Sequence, residues 1–325
     1  MSIFIPPLSL SKYAEFVQDS SSSTGYDTFQ AEADGTPIER QYWEEKIAPM
    51  LYNIANLAKS STELMKRAWQ EASLETLGLR DDKNYLGFRM AMRISKSIKV
   101  NSIGSSNSLE INIETSTNPL VVWKEDIAAQ PRLINSSNEF DNEIFNQDQL
   151  GDFFILRYFI HHWKWFTDSE RVAFTSNAFN IWNAIQIPLA EVVFSAKSKN
   201  KGFLRPCELD AKKYPIKHGL KIPPHNTFPS GHAAGAGALA GLLYFLAISA
   251  GKGPAVGEKF VKASYRIGLL REYANLHWTE DTQVGFMVGL RFTKAVIELA
   301  SSSTNLDDLK WLTSQCVDGL MRTKP

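Results

Sequence analysis

The chain has 325 residues, 44% of them hydrophobic and 22% charged, the balance of a folded protein with a sizeable core in one large domain or two modest ones. Lys plus Arg and Asp plus Glu stand at 35 each, so no global charge points to nucleic acid or an anionic membrane, and a site for an anion must be local. Two cysteines, Cys207 and Cys316, are too few for a disulfide framework; one bridge is allowed, and two reduced buried thiols are the simpler expectation.

The opening stretch MSIFIPPLSLSKY lacks the basic and long apolar regions of a secretory signal, so a cytoplasmic location is the default. Residues 1–38, with the polar run QDSSSSTGYD, read as an irregular N-terminal arm. Residues 39–149 read as an N-terminal helical layer with an irregular excursion. From Gln41 to about Ala72, apolar residues recur at helical spacing: Trp43, Ile47, Met50, Leu51, Ile54 and Leu57, then Leu64, Met65 and Trp69. This is one long helix, or two broken near KSSTE, where Ser or Thr caps the second. Residues 80–145 carry β-branched alternation with Gly and Asn punctuation, which suits either a short β-hairpin or a long irregular excursion.

Helical patterning returns over 150–325, the expected helical catalytic core. Helices are predicted near 150–165, 168–197, 231–250, 257–275, 279–300 and 306–321, with Thr167, Ser230 and Thr279 or their neighbours as N-caps. The stretch Ala233–Gly251 carries no charge and nearly reaches membrane-spanning length. Its Gly and Ala content and the lack of a companion span favour a buried helix of a bundle, with no membrane span. Leu204–Pro229 holds five prolines and no clear period; it reads as a long ordered loop, the kind that carries function. The fold class is all-α, a helical bundle.

Three pieces of this core carry chemistry: KSKNKGFLRP (Lys197–Pro206), HNTFPSGH (His225–His232) and REYANLHWTED (Arg271–Asp281). Pro229 and Gly231 permit a tight turn before a helix, whose first amides favour an anion. Ser230 adds a hydroxyl donor. His232, in the first turn, exchanges a proton near neutral pH. A helix ending near Asn275 and another starting near Thr279 place His277 in the turn between them, where Asp281 fixes its tautomer. Lys197, Arg205 and Arg271 supply three cations for one tetrahedral oxyanion. Each piece alone is weak. Pro-Ser-Gly is ordinary turn chemistry, and Lys197, close to Lys199 and Lys201, reads equally well as the solvated basic end of a helix. Their order along the chain is what lifts the signal.

That order resembles the type-2 phosphatidic acid phosphatase and vanadium-dependent haloperoxidase superfamily, over about residues 150–300. The family pattern is a lysine shortly before Arg-Pro, then Pro-Ser-Gly-His, then Arg-x5-His-x3-Asp, matched here by Arg205-Pro206, Pro229–His232 and Arg271…His277…Asp281. The resemblance implies an all-α bundle of the vanadium haloperoxidase and acid phosphatase type. It implies that His277 is the ligand of vanadate, or else the nucleophile that forms a phosphohistidine. His232 would be the acid/base, and Asp281 would orient His277. Lys197, Arg205, Ser230, the Gly231 amide and Arg271 would hold the oxyanion oxygens. Helical members of the superfamily often pair, so the resemblance also points to a homodimer.

Within the superfamily, many phosphatases and the fungal chloroperoxidases place the lysine seven residues before the arginine, where this chain has Ser198. Lys197, eight before Arg205, has the spacing of the algal bromoperoxidases. His225, seven before His232, matches their histidine where chloroperoxidases have phenylalanine. The expected activity is therefore a haloperoxidase that oxidises bromide or iodide with hydrogen peroxide and halogenates a small organic substrate, with vanadate as cofactor. The alternative is a soluble acid phosphatase, which needs no cofactor. Leu270 stands where the family usually carries serine before the arginine, and characterised haloperoxidases are mostly longer chains. Three other readings carry less. His218, His225 and His232 are evenly spaced, but in a proline-rich loop that spacing does not build a zinc site. His161 and His162 are adjacent and point apart on a helix. No GxSxG elbow is present for a hydrolase triad. A non-enzymatic bundle with an inert pocket is the reading outside enzymes.

Overall fold

The computed structural model describes residues 40–60, 98–100, 109–111, 185–186, 188–198, 203–216, 220–249 and 253–302. Its helices are α1 (40–60), α2 (188–198), α3 (Pro206–Leu209), α4 (Gly231–Ser249), α5 (Pro254–Tyr273) and α6 (Thr279–Ser302). Helix dominates these residues, as the all-α expectation requires. The arm 1–38, the expected helices near 150–165 and 306–321, Thr167, His161, His162, His218 and Cys316 lie outside them.

Strands among the described residues are limited to β1 (Ile98–Val100) and β2 (Leu109–Ile111). They run parallel, with Ile98 opposite Leu109 and Val100 opposite Ile111. Hairpin strands are antiparallel, so this pair is not the hairpin considered from the alternation of 80–145.

α4 is the buried helix expected from its lack of charge. It lies against both α5 and α6. It is the one helix among the described residues long and apolar enough to cross a membrane, and 82% of its most apolar stretch is buried within the protein. Small residues set how close its neighbours come. A β-carbon on Gly289 of α6 would collide with the carbonyl oxygen of Ala234 and the amide nitrogen of Ala238; one on Gly237 would collide with the Phe286 carbonyl. The two backbones are thus in contact, and Thr293 Oγ1 donates to the Ala238 carbonyl at 2.6 Å across the seam. Larger side chains fill the flanks: Leu239, Phe245, Phe260, Tyr265, Phe286 and Phe292 are all buried. Each such side chain contributes about 1.5–3 kcal/mol through removal from water.

α1 belongs to the same core. Ile47, Leu51, Ile54 and Ala58, the inward positions of the helical pattern, join one hydrophobic cluster with α2, α4, α5 and α6. A π turn over Trp43–Ile47 opens the helix. Tyr42 ties it to α6 through a 2.6 Å bond from its hydroxyl to the Gln283 carbonyl, and its ring lies 6.0 Å from that of Tyr265.

One helix start differs from the sequence expectation, and at α6, which starts at Thr279 as expected, the cap falls to a neighbour of Thr279. α5 begins at Pro254, a few residues early, because proline's fixed φ suits the first turn. α6 is not capped by Thr279, whose hydroxyl instead donates to Glu272 Oε2 at 2.9 Å. Trp278 occupies the cap, and Asp281 reaches back to accept its amide at 2.9 Å, half of a capping box.

Candidate active site

The turn before α4 forms as its sequence suggests. The Phe228–Pro229 peptide bond is cis. Ser230 caps α4, its Oγ accepting the Ala233 amide at 3.3 Å. Its own amide donates to the carbonyl of Asp281 at 2.9 Å, so the starts of α4 and α6 are joined through the main chain. Gly231 and His232 follow in the first turn of α4, both partly open to solvent.

α5 ends at Tyr273, and Asn275, with φ of 59°, takes the left-handed conformation that asparagine tolerates. The Asn275 amide side chain donates to the Pro215 carbonyl at 2.8 Å, which ties this turn to the long loop. A small apolar cluster of Cys207, Leu220, Leu270, Ala274 and Leu276 underlies it. His277 therefore sits, buried, in the turn between α5 and α6, where the spacing put it.

The partners of His277 assign its tautomer. Nδ1 faces Asp281 Oδ2 at 3.2 Å and Thr227 Oγ1 at 3.0 Å. The Thr227 hydroxyl itself donates to Asp281 Oδ2. A carboxylate and a hydroxyl oxygen on that side require a proton on Nδ1. Nε2, which faces the Arg205 guanidinium at 3.3 Å, then carries the lone pair. A histidine oriented through one nitrogen and basic at the other suits metal ligation or nucleophilic attack.

Three cations act on this ring, with Arg205 the largest charge among them. Lys197, near the end of α2, is only 2% exposed, so it is not a solvated helix end. Its Nζ donates to the carbonyls of Asn226 and Thr227 at 2.7 and 2.9 Å. Arg205 is fully buried at the cap of α3, where its amide donates to Glu208 Oε2 at 2.9 Å. Its guanidinium donates to the Leu276 carbonyl at 2.7 Å and the His225 carbonyl at 3.1 Å. Arg271, in the last turn of α5, is also fully buried.

Burial in such company shifts Lys197, Asp281 and the two inner histidines. Desolvation, then the Arg205 charge, brings Lys197 down to about 7. Desolvation raises Asp281 to about 6 against the bonds from Thr227 and Trp278 that hold it down. Desolvation and the surrounding cations push His277 well below its ordinary range, with Arg205 the largest of those charges. His232 goes the same way, with Arg271 the largest, although its ring retains some solvent access. Buried positive charge of this density favours an anion. Neutral imidazoles beside it are set to accept protons.

His225 lies on the outer side of this cluster. Its Nδ1 is 3.2 Å from the Arg205 guanidinium, and its ring stands edge-on to Phe194 at 5.7 Å. Desolvation and the Lys197 charge lower it to about 4, so it is neutral. His225 and Lys197 also line a cavity of about 420 Å³ together with Phe194, Phe203, Leu204, Pro224 and Glu208.

Residues 154–304 match the family model of the PAP2 superfamily. This segment is a PAP2-superfamily domain. The PAP2 superfamily covers both phosphatases and vanadium haloperoxidases, and its members are mostly enzymes. No curated protein matches the chain. Within the PAP2 domain, hydrogen bonds join Lys197, Arg205 and His225 to the pair His277–Asp281 through Thr227, Asn226 and Leu276. His232 and Arg271 belong to the same field of charge, and Ser230 and Gly231 form the helix start beneath it. Among the described residues no group of three His, Cys, Asp or Glu forms a metal cluster. Cys207, the described cysteine, is a buried free thiol.

Sequence reasoning missed Thr227. It is fully buried and touches both His277 and Asp281, yet in HNTFPSGH nothing distinguishes it from a turn residue. Glu208 was missed as well; its place three residues after Arg205, at a proline-led helix start, is the capping-box signal that marks it.

Proposed function

We propose that this protein is a vanadium-dependent haloperoxidase that oxidises bromide or iodide with hydrogen peroxide. The observation that carries the reading is His225. Phosphoryl transfer needs a nucleophile, an acid and cations, which His277, His232 and the Lys–Arg cluster supply without it. His225 adds a neutral imidazole between Arg205 and Phe194, on the wall between the cations and the cavity. A halide entering there meets a polar, uncharged ring beside buried positive charge, which draws it in without an ion pair to trap it. The spacing of Lys197 from Arg205 supports the same reading.

Vanadate fits the donor set. Arg205 Nε is buried with no hydrogen-bond partner among the described residues, Lys197 is depressed by desolvation and the Arg205 charge, and His277 Nε2 carries a lone pair. His277 would bind it, with Lys197, Arg205, Ser230, the Gly231 amide and Arg271 around its oxygens. Bound vanadate supplies Lewis acidity toward hydrogen peroxide with no change in its own oxidation state.

The chain's own groups do the rest. Asp281 and Thr227 keep the proton on Nδ1 of His277 and leave Nε2 free to bind. His232, held neutral by desolvation and then by its cationic neighbours, accepts a proton from hydrogen peroxide and returns it to the leaving water. The three cations stabilise the negative charge that develops on oxygen. Overall, halide, hydrogen peroxide and one proton give hypohalous acid and water.

The test is bromination of a dimedone dye by purified protein loaded with orthovanadate, with vanadate-free protein and His277→Ala as controls. Vanadate-dependent turnover that falls at least about 10³-fold in the variant is expected, since losing the ligand removes the cofactor's anchor. Hydrolysis of a phosphate monoester, inhibited by vanadate and without bromination, would replace this reading with the acid phosphatase acting through a phosphohistidine.

A further inference from the structure

Arg205 stands where local rules do not favour an arginine. It is the N-cap of α3, a position at which the side chain ordinarily accepts a hydrogen bond from an amide of the first turn. A guanidinium has donors only, and Arg205 makes no side-chain cap bond. Its side chain is used elsewhere, on the Leu276 carbonyl, His225 and His277. Pro206, at the first position of α3, keeps Arg205 in extended backbone, with φ of −74° and ψ of 156°. Glu208 supplies the missing cap from within the helix. Its Oε2 accepts the Arg205 amide at 2.9 Å, while its own amide donates to the Arg205 carbonyl at 3.0 Å. The peptide unit entering Arg205 is thereby held at both edges. Trp278, the neighbour of His277, donates through Nε1 to the Leu204 carbonyl at 2.9 Å, and Glu208 takes the Arg205 amide on the other side. The orientation of that peptide sets the direction in which the Arg205 side chain leaves the main chain.

We infer that Glu208 is a positioning residue, whose carboxylate holds the Arg205 main chain so that the buried guanidinium is presented to the oxyanion. The inference rests on the oxyanion site of the proposed function, which haloperoxidase and phosphatase share, and not on which reaction follows. Glu208 is exposed on the lining of the cavity and passes for an ordinary solvated charge. Its charge and its hydrogen bond pull oxyanion affinity in opposite directions. A negative charge beside the cluster opposes an incoming anion, whereas a held guanidinium attracts it. Water screens the exposed carboxylate, so the repulsion is weak. The amide belongs to the fully buried Arg205, and leaving it without an acceptor lets the turn relax. Positioning therefore outweighs repulsion, and the sign of the effect distinguishes the two.

Orthovanadate binding to the purified protein, measured by calorimetry, tests this without turnover. Glu208→Ala is expected to weaken binding at least about fivefold, the factor an ordinary helix cap is worth. Glu208→Gln keeps an acceptor at the same reach and drops the charge, so it is expected to bind within about twofold of wild type. Glu208→Asp keeps the charge but shortens the reach; it is expected to bind more weakly than wild type, and it decides the question should the alanine variant not fold. Asp210→Ala is the control. Asp210 is a second exposed carboxylate with a local role, its Oδ1 accepting the amides of Lys212 at 3.1 Å and Lys213 at 3.0 Å, and its loss is expected to leave oxyanion affinity unchanged. A purely structural role would not separate the two alanine variants or be rescued by glutamine. Glu208→Ala binding as tightly as wild type or more tightly, Glu208→Gln falling as far as Glu208→Ala, or Asp210→Ala matching the loss overturns the inference, while bromination by the wild type would leave the proposed function standing. The expected pattern without bromination keeps the inference and removes the haloperoxidase reading. No orthovanadate binding by the wild type overturns both.

Discussion

The seam between α4 and α6 and the cluster at their starts are built on opposite terms. Along the seam, Gly237, Ala234, Ala238 and Gly289 bring two backbones into contact with nothing charged between them. At the helix starts, Lys197, Arg205 and Arg271 are buried around two histidines and a carboxylate. The seam gains from every atom packed. The cluster loses by desolvation what only an anion restores. The difference teaches where stability is made and where it is used. A rigid, dry post holds a positively charged point whose desolvation cost a bound anion would offset.

The comparison breaks most sharply at Gly289. Gly289→Ala is expected to lower stability by about 3 kcal/mol, the upper end of ordinary overpacking, because the new methyl meets backbone rather than a movable side chain. Chemical denaturation reads the loss, and activity per folded molecule should be unchanged. The reverse signature is expected of the cluster. Orthovanadate at a hundred times its dissociation constant should stabilise the protein by about 2.7 kcal/mol, seen as a rise in thermal midpoint that chloride does not reproduce. No rise would mean that the buried cations are already satisfied.

A smaller change separates the His277 ring from its support. Thr227→Val keeps the volume but removes the hydroxyl from His277 and Asp281. Orthovanadate affinity should fall about 10- to 100-fold, as for the loss of an outer partner of a ligand histidine. Thr227→Ser should restore most of it, which a purely steric role would not predict. The mildest effect is in pH. Lys197 titrates near 7 in the fold against 10.5 in the unfolded chain. Between those values the unfolded chain binds more protons, so the stability of the ligand-free protein should rise with pH across that window. Oxyanion affinity should move the other way, falling above about pH 7 as Lys197 loses its charge. Lys197→Met should flatten both slopes.

Much of this was readable from residues. The helical periods of α1, α5 and α6 follow from apolar spacing, α4 follows from its uncharged run, and the placement of His277 follows from the signals near Asn275 and Thr279. The Pro-Ser-Gly turn predicted the cap that Ser230 makes. What the sequence hid has a common cause: it depends on contacts between distant segments. Lys197 looks like a solvated helix end until Asn226 and Thr227 close over it. Thr279 looks like the better cap until Asp281 takes the Trp278 amide. Alternation at 98–111 marks strand character, while parallel pairing is a matter of chain path that no local pattern records.

The bond from the Ser230 amide to the Asp281 carbonyl bears on how such a protein can change over time. It is a main-chain link, so no exchange of side chains at either position removes it, save a proline at 230, which lacks the amide hydrogen. Substitutions in the cavity or the cluster can alter what is bound and what reacts while the corner between the two helices stays put. An inserted or deleted residue in either turn would part the two helix starts at once. The chemistry at this corner is therefore open to revision by point mutation, and its geometry is not.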